Sequence, residues 1–262
     1  MAAPTIGFFG STGGCALAAL TQALNARYHC TALVRDAEKL KSLLASKKVP
    51  EETVNSQLRI VKGNVKDTSA VAQALVIDGR VVDLVVSGIG SAFSMKPNPL
   101  KPTILEPTIC EDATNIILSS LKTLASAHKP ALVVISTTGL SRFGRDLPLA
   151  MVPLYHWMLG TAHADKRAME DILLRDAKDP DKSPISNYAI VRASLLTDGK
   201  MLGVQKVRVG TEIEGDDGTS QEFNPAIGYT ISRADVGNWI FEKIIKSEDR
   251  AERLGKVTIL TY

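Results

Sequence analysis

The sequence predicts an α/β protein built on a doubly wound parallel sheet, with a small C-terminal portion on the substrate side. Three observations predict it. Short runs rich in Val, Ile and Leu, with little polar alternation, read as strands buried on both faces. These runs alternate with helical spacing from Thr5 to Arg192, the pattern of right-handed βαβ units. The first run opens directly onto a glycine-rich turn, Gly10-Ser11-Thr12-Gly13-Gly14.

That turn organises the rest. Thr5 to Phe9 reads as a buried strand, and a helix is expected from Ala16 to Asn25. Gly10 lets the chain turn sharply. Gly13 and Gly14 lack a Cβ, so a diphosphate can approach backbone N–H groups at the helix N-terminus, where the partial positive charge lies. Ala16 is small enough for helix and strand to pack closely. The spacing G-x-x-G-G-x-A differs from the common G-x-G-x-x-G, but its place after the first strand is that of a Rossmann dinucleotide site.

The remaining elements follow in order. Strands are expected at Cys30 to Val34, Leu58 to Val61, Val82 to Val86, Ala131 to Ile135 and Tyr188 to Arg192. Leu40, Leu43 and Leu44 mark a helix stopped before Pro50, and Asp67 or Thr68 caps another from Ser69 to Val76. The loop from Ser91 to Pro107 holds four prolines, which keep it from regular structure. Helices are expected from about Ile109 to Ala127 and from about Leu149 to Ala177, with a polar linker from Asp179 to Ser183. Beyond Ala193 the pattern loosens: a strand at Val207 to Ile213, a flexible turn at Glu214 to Ser220, a helix from Ser232 to Lys246, and a last strand at Lys256 to Leu260. The reading is one domain over 1–262, with a dinucleotide-binding core at 1–192 and substrate-side elements at 193–262 that cover a cleft.

Composition narrows the function. At 262 residues the chain can bury a sizeable core, and its net charge of +3 is too small to imply nucleic acid or an acidic membrane as partner. No apolar run has the length of a spanning helix, and the N-terminus lacks a basic signal-like region. Cys15, Cys30 and Cys110 are scattered, which suits a reducing, cytoplasmic setting, and no Cys/His cluster has metal spacing. The oligomeric state is left open, a homo-oligomer included.

Leu33-Val34-Arg35-Asp36 ends the second strand, where an NAD site places an acidic residue on the ribose and an NADP site an arginine. Arg35, with Lys39 a turn later, offers a donor fork for a 2′-phosphate and predicts NADP(H); the alternative is a solvated arginine beside Asp36. Gly10-x-x-Gly13, Leu33-Val34-Arg35-Asp36, Gly63-Asn64-Val65, Ser136-Thr137-Thr138 and Ile231-Ser232-Arg233-Ala234-Asp235-Val236 fall in one order. That order resembles the atypical short-chain dehydrogenase/reductases, the NmrA-like and flavin-reductase-like branch. The resemblance implies that Asn64, where the family often has Asp, and Val65 embrace the adenine, and that Gly88 and Gly90 admit the cofactor ribose. The segment around Tyr155-His156-Trp157 and His163-Ala164-Asp165-Lys166 is similar to fungal members of specialised metabolism, including the reductase/Diels–Alderases of indole alkaloid pathways.

The usual Tyr-x-x-x-Lys is missing: Tyr155, Tyr188 and Tyr229 are followed four on by Leu159, Arg192 and Arg233. An ordinary alcohol dehydrogenase mechanism is therefore not expected. Hydride transfer then needs a substrate that brings its own electrophile, such as an imine, an iminium or a flavin, and a protein that positions it. Ser136 and Thr137 are placed at the carboxyl edge of the sheet, as catalytic and cofactor-side groups respectively. Asp165 is expected to hold a cationic substrate or relay a proton, Tyr155 is the competing donor, and Lys166 is expected at the nicotinamide ribose. Tyr155, Trp157 and Met158 read as core or as the wall for a bulky, apolar, polycyclic substrate. The sequence thus predicts an NADPH-dependent reductase; a cyclase or rearrangement enzyme in the same pocket and a dinucleotide-sensing regulator are its rivals.

Overall fold

The computed structural model describes residues 3–94, 103–215 and 217–262. Nine strands make one sheet: β1 (Ile6–Phe9), β2 (Cys30–Val34), β3 (Leu58–Lys62), β4 (Leu84–Ser87), β5 (Ala131–Thr137), β6 (Asn187–Ala193), β7 (Arg208–Glu214), β8 (Ser220–Asn224) and β9 (Lys256–Thr261). Their spatial order is β8-β7-β9-β6-β5-β4-β1-β2-β3. The pairings from β3 through β1 and β4 to β9 are all parallel, while β7 runs antiparallel to both β9 and β8. The doubly wound class is therefore as the sequence predicts. The direction of winding reverses between β1 and β4, and the crevice at that point is where such sheets hold ligands.

Apolar strands buried on both faces require helices on both faces. Phe8 packs into the layer that holds α1 (Gly14–Asn25) and, near the C-terminus, α7 (Arg233–Ile240). Phe9, one residue on, faces the opposite layer of α4 (Thr68–Ala74), α5 (Ile109–Leu124) and α6 (Val152–Ala177). Helix α1 begins at Gly14, two residues before the expected Ala16, because Gly13 already takes the N-cap position. Asp67 caps α4 through Ser69 and Ala70, as its sequence position implies. Helix α5 stops at Leu124, since Ala125 adopts a left-handed φ of 45°. Two helices lie between β2 and β3: α2 (Ala37–Ser46), and α3 (Glu51–Gln57), which the sequence reading missed behind Pro50. Of the proline-rich loop, residues 95–102 lie outside the described residues; Phe93–Ser94 and Thr103–Ile104 pair as a short hairpin.

In the C-terminal third, β9, β7 and β8 extend the central sheet, and the expected turn at 214–220 joins β7 to β8, with Gly215 N–H donating to Thr219 O at 2.8 Å; strand β8 itself is what the sequence reading lacked. Only a few residues of this third reach the cleft. Helix α7 lies close against α1 because Gly237 has no side chain; a Cβ there would meet Cys15 O at 2.5 Å and Ala19 N at 2.7 Å. Gly237→Val should force these helices apart and cost about 1–3 kcal/mol, read as a lower urea midpoint. An unchanged midpoint would show that the close approach is not under strain.

Candidate active site

The crevice at the β1/β4 switch point holds two cavities that share Gly13, Gly88, Ile89 and Gly90. The first, about 200 Å³, is lined by Gly10, Thr12, Arg35, Asn64, Val65 and Glu106, among others. The second, about 520 Å³, lies over the carboxyl ends of β5 and β6 and along α6.

The seam between them is built by glycines. Gly10 has φ +73°, and a Cβ there would lie 2.7 Å from the backbone carbon and oxygen of Gly88. A Cβ on Gly88 would lie 2.7 Å from that of Ala16, so the expected close packing of Ala16 falls on this glycine. A Cβ on Gly90 would meet nothing within 4 Å among the described residues. Gly13 N–H turns back to Gly10 O at 2.9 Å, and no side chain caps the α1 N-terminus. Uncapped N–H donors, a positive helix end and exposed glycine backbone fit a diphosphate. Gly14 has a second use, since a Cβ there would run into the stem of Arg233.

At the far end of the first cavity, Arg35 is an open cation: its side chain is 79% exposed and its ion pair with Glu106 is 3.9 Å long. Lys66 also pairs with Glu106, at 3.3 Å. Two expected cofactor residues line neither cavity. Ser11 is fully buried, and its hydroxyl has no hydrogen-bond partner among the described residues. Lys39 is exposed and lines neither; its backbone N–H serves the Asp36 cap of α2 instead.

Helix α6 supplies one wall of the second cavity. Tyr155, Leu159, Ala162, His163 and Lys166 recur at three- and four-residue steps and share one face. Tyr155 is buried, packs edge-on against His163 at 5.5 Å, and burial raises its phenol above the usual range. Trp157 points elsewhere and is half exposed; the side chain of His156 lies outside the described residues. Lys166 reaches the sheet edge, where Nζ donates to Ile89 O at 2.8 Å and Ile135 O at 2.7 Å. Ser136 and Thr137 line the same floor.

Asp165 does not face the cleft. Its buried carboxylate accepts from the backbone N–H of Cys110 at 3.0 Å and of Glu111 at 2.9 Å, capping α5 from below. Successive residues on a helix point about 100° apart, so with Lys166 turned to the cleft its neighbour is turned away. Asp165 is thus a structural cap rather than the counter-ion expected of it.

A buried ion cluster lies behind Ser136, and the sequence reading missed it. Ser136 Oγ donates to Glu170 Oε1 at 2.5 Å. Arg192 forks onto Glu170, with Nε to Oε1 at 3.1 Å and Nη2 to Oε2 at 2.6 Å, and reaches Glu212 at 2.9 Å and Asp146 at 3.7 Å. One guanidinium faces three carboxylates in a dry place. Burial raises the Asp146 carboxyl above its ordinary range, although Arg192 pulls the other way.

Arg233 is the other missed residue. Ser232 caps α7 by accepting from Asp235 N–H at 2.9 Å, and Asp235 in turn accepts from Leu202 and Gly203 N–H groups. This pinned helix start sets Arg233 across Gly14, into the second cavity, with Asp198 at 2.8 Å on the rim.

A family model described as NAD(P)H-binding matches residues 10–246. The chain belongs to this NAD(P)H-binding family. Its fold is shared with the anaerobillin reductase ChuY from Escherichia coli O157:H7 (TM-score 0.60, 19% identity, 98% of this chain and 96% of that one). It is likewise shared with the oxidoreductase ylbE from Lactococcus lactis (TM-score 0.60, 16% identity, covering 98% and 90%). Nearer relatives are fungal. The chain is 44% identical to the reductase pytE of Aspergillus terreus over 99% of its own length and 98% of that protein. It is 34% identical to the oxidase pynE of Aspergillus niger, over 94% of each. The atypical reductase resemblance therefore stands, and a nicotinamide dinucleotide is the group these cavities fit. No helix among the described residues is long and apolar enough to cross a membrane.

Two variants test the site's framework. Asp165→Ala should lower stability by about 1–3 kcal/mol by stranding the α5 N–H groups, and leave dinucleotide affinity unchanged. A stable variant with lost affinity would return Asp165 to the site. For Asp146, a carboxyl whose folded pKa is raised favours folding while protonated and loses that contribution as pH rises through the raised value. Asp146→Asn should match the parent in stability at acid pH and exceed it at neutral pH. A variant weaker at every pH would contradict the charge balance drawn here.

Proposed function

We propose that the protein is an NADPH-dependent reductase of specialised metabolism acting on a bulky, largely apolar small molecule. The observation that carries this reading is the pair of joined cavities. One is a polar slot with Arg35 at its far end; the other is a roomier, mostly apolar cleft at the sheet edge, beside Ser136 and Lys166.

The dinucleotide, when bound, supplies the hydride. Gly10, Gly13 and Gly14 seat its diphosphate on the α1 N-terminus. Arg35 takes the 2′-phosphate, Asn64 and Val65 flank the adenine, and Gly88 and Gly90 leave room for the ribose. Thr137 and Lys166 hold the nicotinamide end at the sheet edge. Ser136, fixed by Glu170, and Tyr155 orient the substrate. With Tyr155 buried and pushed up in pKa, no group here has the lowered phenol of a Tyr-x-x-x-Lys pair. The substrate therefore carries its own electrophile, an imine or comparable centre, and the protein acts by orientation and water exclusion. The family resemblance supports a polycycle of fungal specialised metabolism as that substrate.

Calorimetry should find NADPH bound more tightly than NADH, and Arg35→Ala should cost NADPH about 1.5–3 kcal/mol while sparing NADH. Equal affinities in the parent would end the NADP assignment. The metabolite that accumulates when the gene is deleted should be converted with one NADPH oxidised per product. Conversion with NADPH untouched would favour the cyclase reading instead.

A further inference from the structure

We propose that the substrate of the second cavity is a lipophilic anion: an apolar body bearing a carboxylate or another acid ionised at neutral pH. The inference rests on the dinucleotide-dependent reading and names the substrate class for it.

The charges around the cleft carry the argument. Among the described residues lining it, the ionisable side chains are Cys15, Tyr155, His163, Lys166 and Arg233, with no aspartate or glutamate. Burial pushes the Cys15 thiol up to about 12 and raises Tyr155, so both are neutral at pH 7. The fixed charges are then the two cations, Lys166 at the floor and Arg233 at the side.

The nearest carboxylates are spoken for. Asp165 caps α5, and Glu170 is closed in behind Ser136 by the Arg192 fork. Asp198 pairs with Arg233, but it is 89% exposed on the rim, where water screens the pair. A partly dry cleft with cations and no anion disfavours a cationic guest and gains from an anionic one. Met158, Leu159 and Leu196 supply the apolar wall, and they line the part of the roughly 520 Å³ cleft that a nicotinamide end at Ser136 and Lys166 would leave to a substrate. This reverses the charge expected of the substrate had Asp165 faced the cleft.

The test uses three naphthyl probes that differ in charge: 1-naphthoate, 1-naphthamide and 1-naphthylmethylammonium. Each is titrated by calorimetry into the full chain saturated with NADPH, whose nicotinamide ring is neutral, so that the cofactor's phosphates have already drawn on any cation they share and the ring adds no charge of its own. Naphthoate should bind at least about tenfold tighter than the ammonium, with the amide between. The naphthoate–amide gap should shrink in Lys166→Met or Arg233→Met. An ammonium probe that equals or exceeds naphthoate overturns the proposal, as does a gap unchanged in both variants. Failure of NADPH to bind the parent would instead sink the dinucleotide reading, and the same probes on the free chain would still read the charge preference.

Discussion

The backbone contact between Gly10 and Gly88 is the constraint on which the site depends. These two glycines end β1 and β4, the strands that flank the reversal of winding. Phe9 O accepts from Gly88 N–H at 2.9 Å, and a Cβ on Gly10 would strike Gly88 at 2.7 Å. Because the strand ends meet this closely, α1 starts at once from the turn, with Ala16 seated on Gly88. The helix end then has no side-chain cap among the described residues, and Gly13 and Gly14 at that end line the crevice. A larger residue at either glycine would part the strands and close the slot that joins the two cavities.

From that seam the site divides by charge. Arg35 and Lys66 stand at one end, with Glu106 between them; Lys166 and Arg233 stand at the other, with no lining carboxylate among the described residues. The acidic groups nearest the second cavity have been put to structural use. Asp165 replaces a missing cap on α5, and Glu170, Glu212 and Asp146 surround Arg192. The cluster ties α6, β6, β7 and the loop after β5 together, and so fixes the floor residue Ser136 without exposing a carboxylate beside it. Removing Arg192 alone would leave three buried acids around a vacancy, the costly way to break such a cluster.

Much of this was legible in the sequence, for physical reasons that also mark the limits. Strands buried on both faces lose alternation, so β1 to β6 could be read as parallel. A glycine turn between strand and helix has few uses, which pointed to Gly10 and Gly13; the end of the second strand pointed to Arg35 and the family resemblance to Asn64 and Val65, and all five line one cavity. Helical spacing put Tyr155 and Lys166 on one face of α6, and both line the other cavity. Asp165 was misread because helical spacing gives a face, not the neighbour that face meets; only tertiary packing brings the α5 N-terminus onto it. Arg192 looked like the end of a strand, since its three partners come from distant segments. Ser232 and Asp235 formed a readable cap, but that the cap aims Arg233 across Gly14 depends on the contact between α7 and α1. In the C-terminal third the strands at β7 and β9 were legible, but β8 was not, and neither was their joining the central sheet, because their pairing depends on partners far away in sequence.

The central claim is that one dinucleotide spans both cavities across the glycine seam. The most direct measurement is a crystal structure of the full chain with NADP+. The account predicts the diphosphate on Gly13 at the α1 N-terminus, the 2′-phosphate at Arg35, and the nicotinamide over the floor at Ser136 and Lys166. A dinucleotide with its adenine in the larger cleft, or bound away from Gly13 altogether, would contradict it.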